Sequence, residues 1–321
     1  MMTSYKFAII HYPNSLLSAV YGFSEMFTLA NRLCQDTSVP IQLDTDILTL
    51  GSFDTNTLDM RPFNNDTIYH AILIPPSMDT SIYESNVPEL TNWLNGQHQS
   101  GAILCSACAG AFFLATTNAT ENYELTTHWS LADIFKQRFP NQKIDISKIL
   151  IDQGDIISAG GMMSWMDLGL ALVQRFTQAS IVRQLGKTLV MDTGRREQSY
   201  YQEFTPCLDH GDRAILSVQH HLQGHFSETN PINILANIAH LTPRTFLRRF
   251  QKHTGWNPSD YIQRLRIQRT CNDLEETTLP FESIALQVGY KDAGNCRKAF
   301  RKIMGLTPSE FRKRFILNKL S

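Results

Sequence analysis

Ile103-Leu104-Cys105-Ser106-Ala107-Cys108-Ala109-Gly110-Ala111-Phe112 is the stretch on which the fold turns. An apolar run leads into Cys108, small residues flank it, and an apolar helical pattern follows. A strand that bends sharply into a helix needs small neighbours at the bend, and a nucleophile elbow is built this way. Working outward, Phe7-Ala8-Ile9-Ile10 reads as a buried strand, and 18–34 as a helix with Val20, Phe23, Met26, Phe27 and Ala30 on one side. Further buried strands are expected at 41–50, 71–75, 102–106 and 149–151, with helical patterns near 88–98, 109–117 and 130–138. A strand and turn at 156–161 precede an apolar helix at 163–176. Short apolar strands alternating with helices predict an α/β domain whose parallel sheet is covered on both faces.

The pattern changes near 190, although 180–190 can also be read as one last helix. The reading is a domain over 1–190, a polar linker over 191–210 and an all-helical domain over 211–321. The 321 residues suit two domains, and a chain 42% hydrophobic and 18% charged has globular composition. No apolar run approaches the roughly 18 residues of a membrane span, and the first residues do not read as a signal peptide. Six Cys without a regular framework suit a reducing cytoplasm. The net charge of −1 conceals an asymmetry. Residues 210–321 hold 17 Lys+Arg against 9 Asp+Glu, and the remainder of the chain holds 12 against 21. A basic last third suggests a polyanionic partner.

That last third contains a repeat at an offset of 50 residues. Phe250-x4-Gly255-Trp256-Asn257-Pro258-Ser259-x-Tyr261 matches Phe300-x4-Gly305-Leu306-Thr307-Pro308-Ser309-x-Phe311. Each Gly sits where a helix C-cap wants positive φ, and Asn257 or Thr307 then serves as N-cap with Pro at the first helical position. Before each cap lies a helix–turn–helix pattern. In the first, Leu235, Ala236 and Ala239 bury a short helix, Leu241-Thr242 turns, and Phe246 and Phe250 mark the core side of a helix over 243–253. Arg244, Arg248 and Gln251 point the other way. In the second, Ile284, Ala285 and Val288 are buried, 289–292 turns, and Cys296 and Phe300 face inward from a helix over 292–303. Gly294, Lys298 and Arg301 face outward. Cations four apart on an exposed helix face can reach successive bases or phosphates of a major groove.

On these residues, 215–315 resembles the DNA-binding domain of the AraC/XylS family of transcription regulators. The resemblance implies double-stranded DNA as a partner. The candidate contacts are Arg244, Thr245, Arg248 and Gln251 in the first reading helix, and Gly294, Asn295, Arg297, Lys298 and Arg301 in the second. Cys296 stands where the family usually has Phe, and Lys298 where it usually has Arg. Gly294 has no side chain with which to read a base.

In the first domain the residues leave three readings open for Cys108. It could form a hydrolytic pair with His128, a redox pair with Cys105, or the lining of a ligand pocket. A helix N-terminus at Cys108 would lower its thiol pKa. No second ligand pair has spacing suited to zinc, so no metal or cofactor is expected. Residues 5–185 resemble the DJ-1/PfpI family, a branch of the class I glutamine amidotransferase-like fold. The likeness rests on Ser106–Ala115, on Thr126-Thr127-His128-Trp129, and on Ser158-Ala159-Gly160 with Asp167. The closest version is the one fused to AraC-type domains in GlxA-like regulators. Catalytic relatives carry an acidic residue in the loop after the first strand, whereas 13–20 here has no carboxylate. They also carry a Gly-rich oxyanion loop, where this chain has Pro75-Pro76-Ser77.

The resemblance therefore implies a flavodoxin-like sensor domain rather than an enzyme. Its expected ligand residues are Cys108, Ala109, Gly110, His128, Trp129, Ser77 and Gly160. The implied function is a cytoplasmic, homodimeric regulator that answers to a small metabolite such as an amino acid or quaternary amine. As an activator it would meet RNA polymerase. The alternatives are a Cys-dependent amidase or glyoxalase-like enzyme, or a thiol redox sensor, fused to a DNA-binding domain.

Overall fold

The computed structural model describes residues 2–50, 60–62, 67–79, 87–191 and 197–316, so 192–196 of the expected linker lie outside it. The chain divides into two compact units, Met1–Gln198 and Ser199–Ser321.

Unit 1 contains strands β1 (Thr3–His11), β2 (Ile41–Thr49), β3 (Met60–Pro62), β4 (Ala71–Ile74), β5 (Ile103–Ala107), β6 (Glu124–Leu125), β7 (Lys143–Ile144), β8 (Leu150–Asp152) and β9 (Ile156–Ala159). Its helices are α1 (Leu17–Asp36), α2 (Pro88–Gln99), α3 (Ala111–Leu114), α4 (Ala132–Arg138), α5 (Trp165–Phe176) and α6 (Ala179–Thr188). The main sheet runs β3-β2-β1-β4-β5-β9-β8, and β6 pairs with β7 apart from it. Without its edge strands this is the 2-1-3-4-5 order of flavodoxin-like folds.

Side-chain alternation along β1 divides the core. Phe7 and Ile9 pack with Phe23, Phe27, Leu168 and Leu185 of α1, α5 and α6. Ala8 and Ile10 pack on the other face with Leu90, Phe112 and Phe135 of α2, α3 and α4. The sheet is parallel except that β8 runs antiparallel to β9. Only 153–155 separate them, with Gly154 at φ +99°, and so short a connection cannot make a parallel crossover. The helix expected over 109–117 is also shorter. After a 3-10 turn at Cys108–Gly110, α3 ends at Leu114, where the Thr116 and Thr117 hydroxyls donate to the Phe113 and Leu114 carbonyls.

Unit 2 is helical: α7 (Arg213–His225), α8 (Ile232–Ile238), α9 (Pro243–Thr254), α10 (Pro258–Glu276), α11 (Phe281–Gln287), α12 (Ala293–Met304) and α13 (Pro308–Phe315). Local capping chemistry sets most of these boundaries. The side chains of Thr242, Asn257 and Thr307 accept from the third backbone N–H of the helices they open, and Asp292 accepts from Gly294 and Asn295. Gly255 and Gly305 close α9 and α12 at φ +75° and +73°. One core gathers Phe246, Phe250 and Tyr261 against α7 and α8. A second gathers Ile284, Cys296, Phe300 and Phe311 against α10. Among the described residues no helix is long and apolar enough to cross a membrane.

Candidate functional sites

The first site forms where β5 ends. Cys108 follows Ala107 at φ +53°, a conformation uncommon for a residue with a side chain and frequent at functional turns. The bend is tight because Gly110 lies against the end of β4, where an added Cβ would come within 2.5 Å of the Ile74 carbonyl oxygen. The segment 126–129 passes beside the bend, and the Thr127 hydroxyl donates to the Cys108 carbonyl at 2.9 Å. Ala109 and Gly110 are buried with Cys108. Ser77 sits opposite Ser15 in an isolated antiparallel bridge. The Leu16 N–H donates to the Pro76 carbonyl at 2.8 Å, so the loops after β1 and β4 are joined. These loops lie at the carboxyl ends of adjacent strands where the strand order reverses, the usual place for a ligand in an open α/β sheet. The buried hydroxyls of Ser15 and Ser106 have no hydrogen-bond partner among the described residues.

Two expectations change here. Cys108 is only 3% exposed, and burial pushes its thiol up to about 12 despite hydrogen bonds from the Ala109 and His128 backbones. The expected lowering by a helix N-terminus is overturned, because α3 has four residues and desolvation outweighs so short a dipole. Gly160, expected to line the pocket, instead has the Gln198 amide in the space where a Cβ would sit, 1.8 Å from the Gln198 nitrogen. His128 approaches Cys108 through its backbone, while its ring Nδ1 is engaged by Ser130 and its ring lies 5.2 Å from that of Trp129. Burial holds the His128 imidazole below its ordinary pKa. What remains is a neutral thiol, a neutral imidazole and buried hydroxyls, a set suited to hydrogen-bonding a ligand. Cys105 is buried within β5, and its thiol is also raised by burial. Among the described residues no group of three or more His, Cys, Asp or Glu could hold a metal ion.

A thiol titration checks this. With a pKa of about 12, roughly one Cys108 in a hundred thousand is thiolate at neutral pH. Five cysteines are buried and Cys207 is exposed. Iodoacetamide should therefore label one cysteine, Cys207, in the native protein at pH 8, and all six after denaturation. Labelling of Cys108 as fast as Cys207 would contradict the neutral-thiol site.

The second site is the outer face of α9 and α12. Arg244, Arg248 and Gln251 are exposed and Thr245 half-buried, while Phe246 and Phe250 hold the opposite side. On α12, Asn295, Arg297, Lys298 and Arg301 are exposed and Gly294 half-buried, opposite Cys296 and Phe300. Arg297 is drawn toward α11, pairing with Glu282 at 3.2 Å over the Phe281 ring. Two residues that fix these helices were not singled out from the sequence. Asp212 accepts the Ile215 N–H at the start of α7 and both Arg249 Nε and Nη2, with His253 at 3.2 Å. Arg266 on α10 donates to the carbonyls of Phe226, Glu228 and Gly289, which ties the turn between α11 and α12 to the end of α7. The Arg249 partner of Asp212 and the three carbonyls held by Arg266 lie 23 to 40 residues away in sequence, so no local pattern announces them.

Comparison with known proteins identifies this unit. Residues 235–314 match a family model described as a helix-turn-helix domain. Unit 2 therefore contains a helix-turn-helix domain. Among curated proteins the chain is similar to the HTH-type transcriptional regulator GbdR of Pseudomonas aeruginosa, 23% identical over 72% of this chain and 63% of that protein. It is also similar to GlxA of Rhizobium meliloti, 23% identical over 64% of each chain. ArgR of Pseudomonas aeruginosa is 26% identical over 67% of this chain and 65% of its own length. The chain thus spans a little under two thirds of these relatives. Among solved structures, an AraC family transcriptional regulator from Pseudomonas putida aligns with 58% of this chain and 99% of its own at 19% identity and TM-score 0.49.

The outer faces of α9 and α12 are unequal. If Arg244 and Arg248 read bases, Arg244→Ala and Arg248→Ala should each cost about 1–3 kcal/mol of sequence preference. Lys298→Ala, beside the bare Gly294, should weaken all sequences evenly, as a phosphate contact does. Binding to a panel of single-base duplex variants checks the division. It is wrong if Lys298→Ala alters preference at one base position and Arg248→Ala alters none.

Proposed function

We propose that this chain is a DNA-binding transcriptional regulator whose unit 1 senses a small molecule and whose AraC-type domain holds the DNA. One observation carries the reading: two helix–turn–helix units each bury an aromatic face and expose cations on the opposite side, Arg244 and Arg248 on α9, Lys298 and Arg301 on α12. The names of the relatives, all HTH-type transcriptional regulators, support it. The elbow of unit 1, with Cys108, the Ser15 and Ser106 hydroxyls and Ser77, is the proposed effector site. Its neutral groups suit a polar metabolite, and the family resemblance favours an amino acid or quaternary amine. A cytoplasmic homodimer acting on RNA polymerase completes the proposal. One observation favours the enzyme reading, the φ of +53° at Cys108. The neutral thiol and the loop without a carboxylate favour binding over turnover.

The test is salt dependence. The full chain should select a duplex from a random pool and bind it with a log–log salt slope of about −0.9 per phosphate neutralised. Failure to select a duplex at low salt, or binding indifferent to salt, would overturn the regulator reading.

A further inference from the structure

Gln198 is the last residue of unit 1, and its side chain is 2% exposed although it lies in the segment that joins the units. Its amide nitrogen donates to Thr126 Oγ1 at 3.1 Å, to the Thr127 carbonyl at 2.9 Å and to the Lys148 carbonyl at 2.8 Å. Its amide oxygen accepts the Trp129 N–H at 3.2 Å. Its own N–H donates to the Ser147 carbonyl at 2.7 Å. Gly160 makes room for it. The neighbouring Glu197 adds a bridge and an ion pair to Lys148, but that pair is half-exposed and contributes little. Gln198 therefore grips both sides of segment 126–129, whose Thr127 holds the Cys108 carbonyl.

The residues that follow are anchored just as closely, in unit 2. A Cβ on Gly305, the C-cap of α12, would lie 2.9 Å from Ser199 Oγ and 2.8 Å from the Tyr200 ring. The Arg314 guanidinium lies 5.3 Å from the Tyr200 ring, and the Tyr201 ring meets Phe315 edge-on at 5.5 Å. Gln198 is thus anchored within unit 1, and Ser199 and Tyr200, which follow it directly in sequence, are anchored within unit 2.

We propose that Gln198 is a positioning residue that couples the elbow site to the second helix–turn–helix of the AraC-type domain. This rests on reading unit 1 as a sensor. A ligand that displaces 126–129 changes the grip on Gln198, and Ser199 and Tyr200 carry the change to the α12 C-cap. Flexible linkers let domains act independently, whereas two buried anchors on adjacent residues oblige any release at one to be felt at the other.

Hydrogen exchange on the full chain tests this without a ligand. Gln198→Ala removes the grip, and Gly160→Ala expels the amide while leaving the sequence of the joining segment intact. Both variants should speed exchange about tenfold in 126–129 and 146–149, as loss of a buried hydrogen bond would. They should also speed it in 199–202 and 301–315, while α8 and α9 stay as in the wild type. Faster exchange confined to unit 1 would overturn the coupling. A uniform rise over the whole chain, meaning general unfolding, would also count against it. Duplex selection by the wild type separates the two readings. If exchange spreads as stated but no duplex is selected, the coupling stands and the regulator reading fails. If a duplex is selected and exchange stays within unit 1, the reverse holds.

Discussion

Gly289→Ala should destabilise unit 2 by about 3–5 kcal/mol, a large share of the roughly 5–15 kcal/mol that keeps a domain folded. Gly289 turns the chain between α11 and α12 at φ +92°. A left-handed backbone costs a residue with a side chain about 1–2 kcal/mol before any contact is made. Here the new Cβ would also lie 2.1 Å from the Ser227 carbonyl oxygen, a backbone atom. Neither side can retreat cheaply, because Arg266 holds the Phe226, Glu228 and Gly289 carbonyls together. Thermal melting of the full chain should show the unit 2 transition lowered by more than 10 °C, at roughly 4 °C per kcal/mol, with unit 1 unchanged. A shift under 3 °C would mean that the turn can be rebuilt without glycine.

Gly110→Ala should act on the other unit. Its φ is −56°, so the backbone bears no penalty, and the whole effect comes from crowding. The added Cβ would stand 2.5 Å from the Ile74 oxygen and 2.8 Å from the Pro75 oxygen. Either the elbow must open or the end of β4 must move, at a cost of about 2–4 kcal/mol. Gly96→Ala provides the contrast. It lies within α2 with nothing within 4 Å of its Cβ position, so alanine should stabilise by about 0.5–1 kcal/mol. Urea unfolding monitored by Trp fluorescence should therefore move in opposite directions for the two variants. Movement in the same direction would refute the crowding argument.

The features legible in the sequence are those governed by neighbours three or four residues apart. The caps at Thr242, Asn257 and Thr307, the left-handed closures at Gly255 and Gly305, and the inward Phe246–Phe250 and Cys296–Phe300 pairs all obey such local rules. The succession of strands and helices in unit 1 follows similarly from its apolar runs. What escaped depends on distant partners. Gln198 bonds residues 50 to 72 positions away, and Arg249 finds Asp212 from 37 positions away. The Cys108 thiol escaped for a related reason. Its motif suggests an activated sulfur, but the degree of desolvation depends on the hydrophobic cluster from distant segments that packs around the elbow. Polar letters in 191–210 read as linker, yet Gln198 is buried because its amide fits the gap that Gly160 leaves.

Asp212 has a bearing on acidity. Hydrogen bonds from Arg249, foremost, and from the Ile215 N–H hold its carboxyl below the usual range. A carboxyl depressed on folding contributes stability that is whole above its unfolded value, about 3.9, and is lost as the pH falls through its lower folded value. The tie between the start of α7 and the first reading helix is therefore fully engaged from about pH 5 upward and loosens only in strong acid. Fluctuations of pH near neutrality leave that carboxylate ionised and its bonds to Arg249 and the Ile215 N–H in place. The Asp212–Arg249 tie is thus a fixture of the first helix–turn–helix across the neutral range.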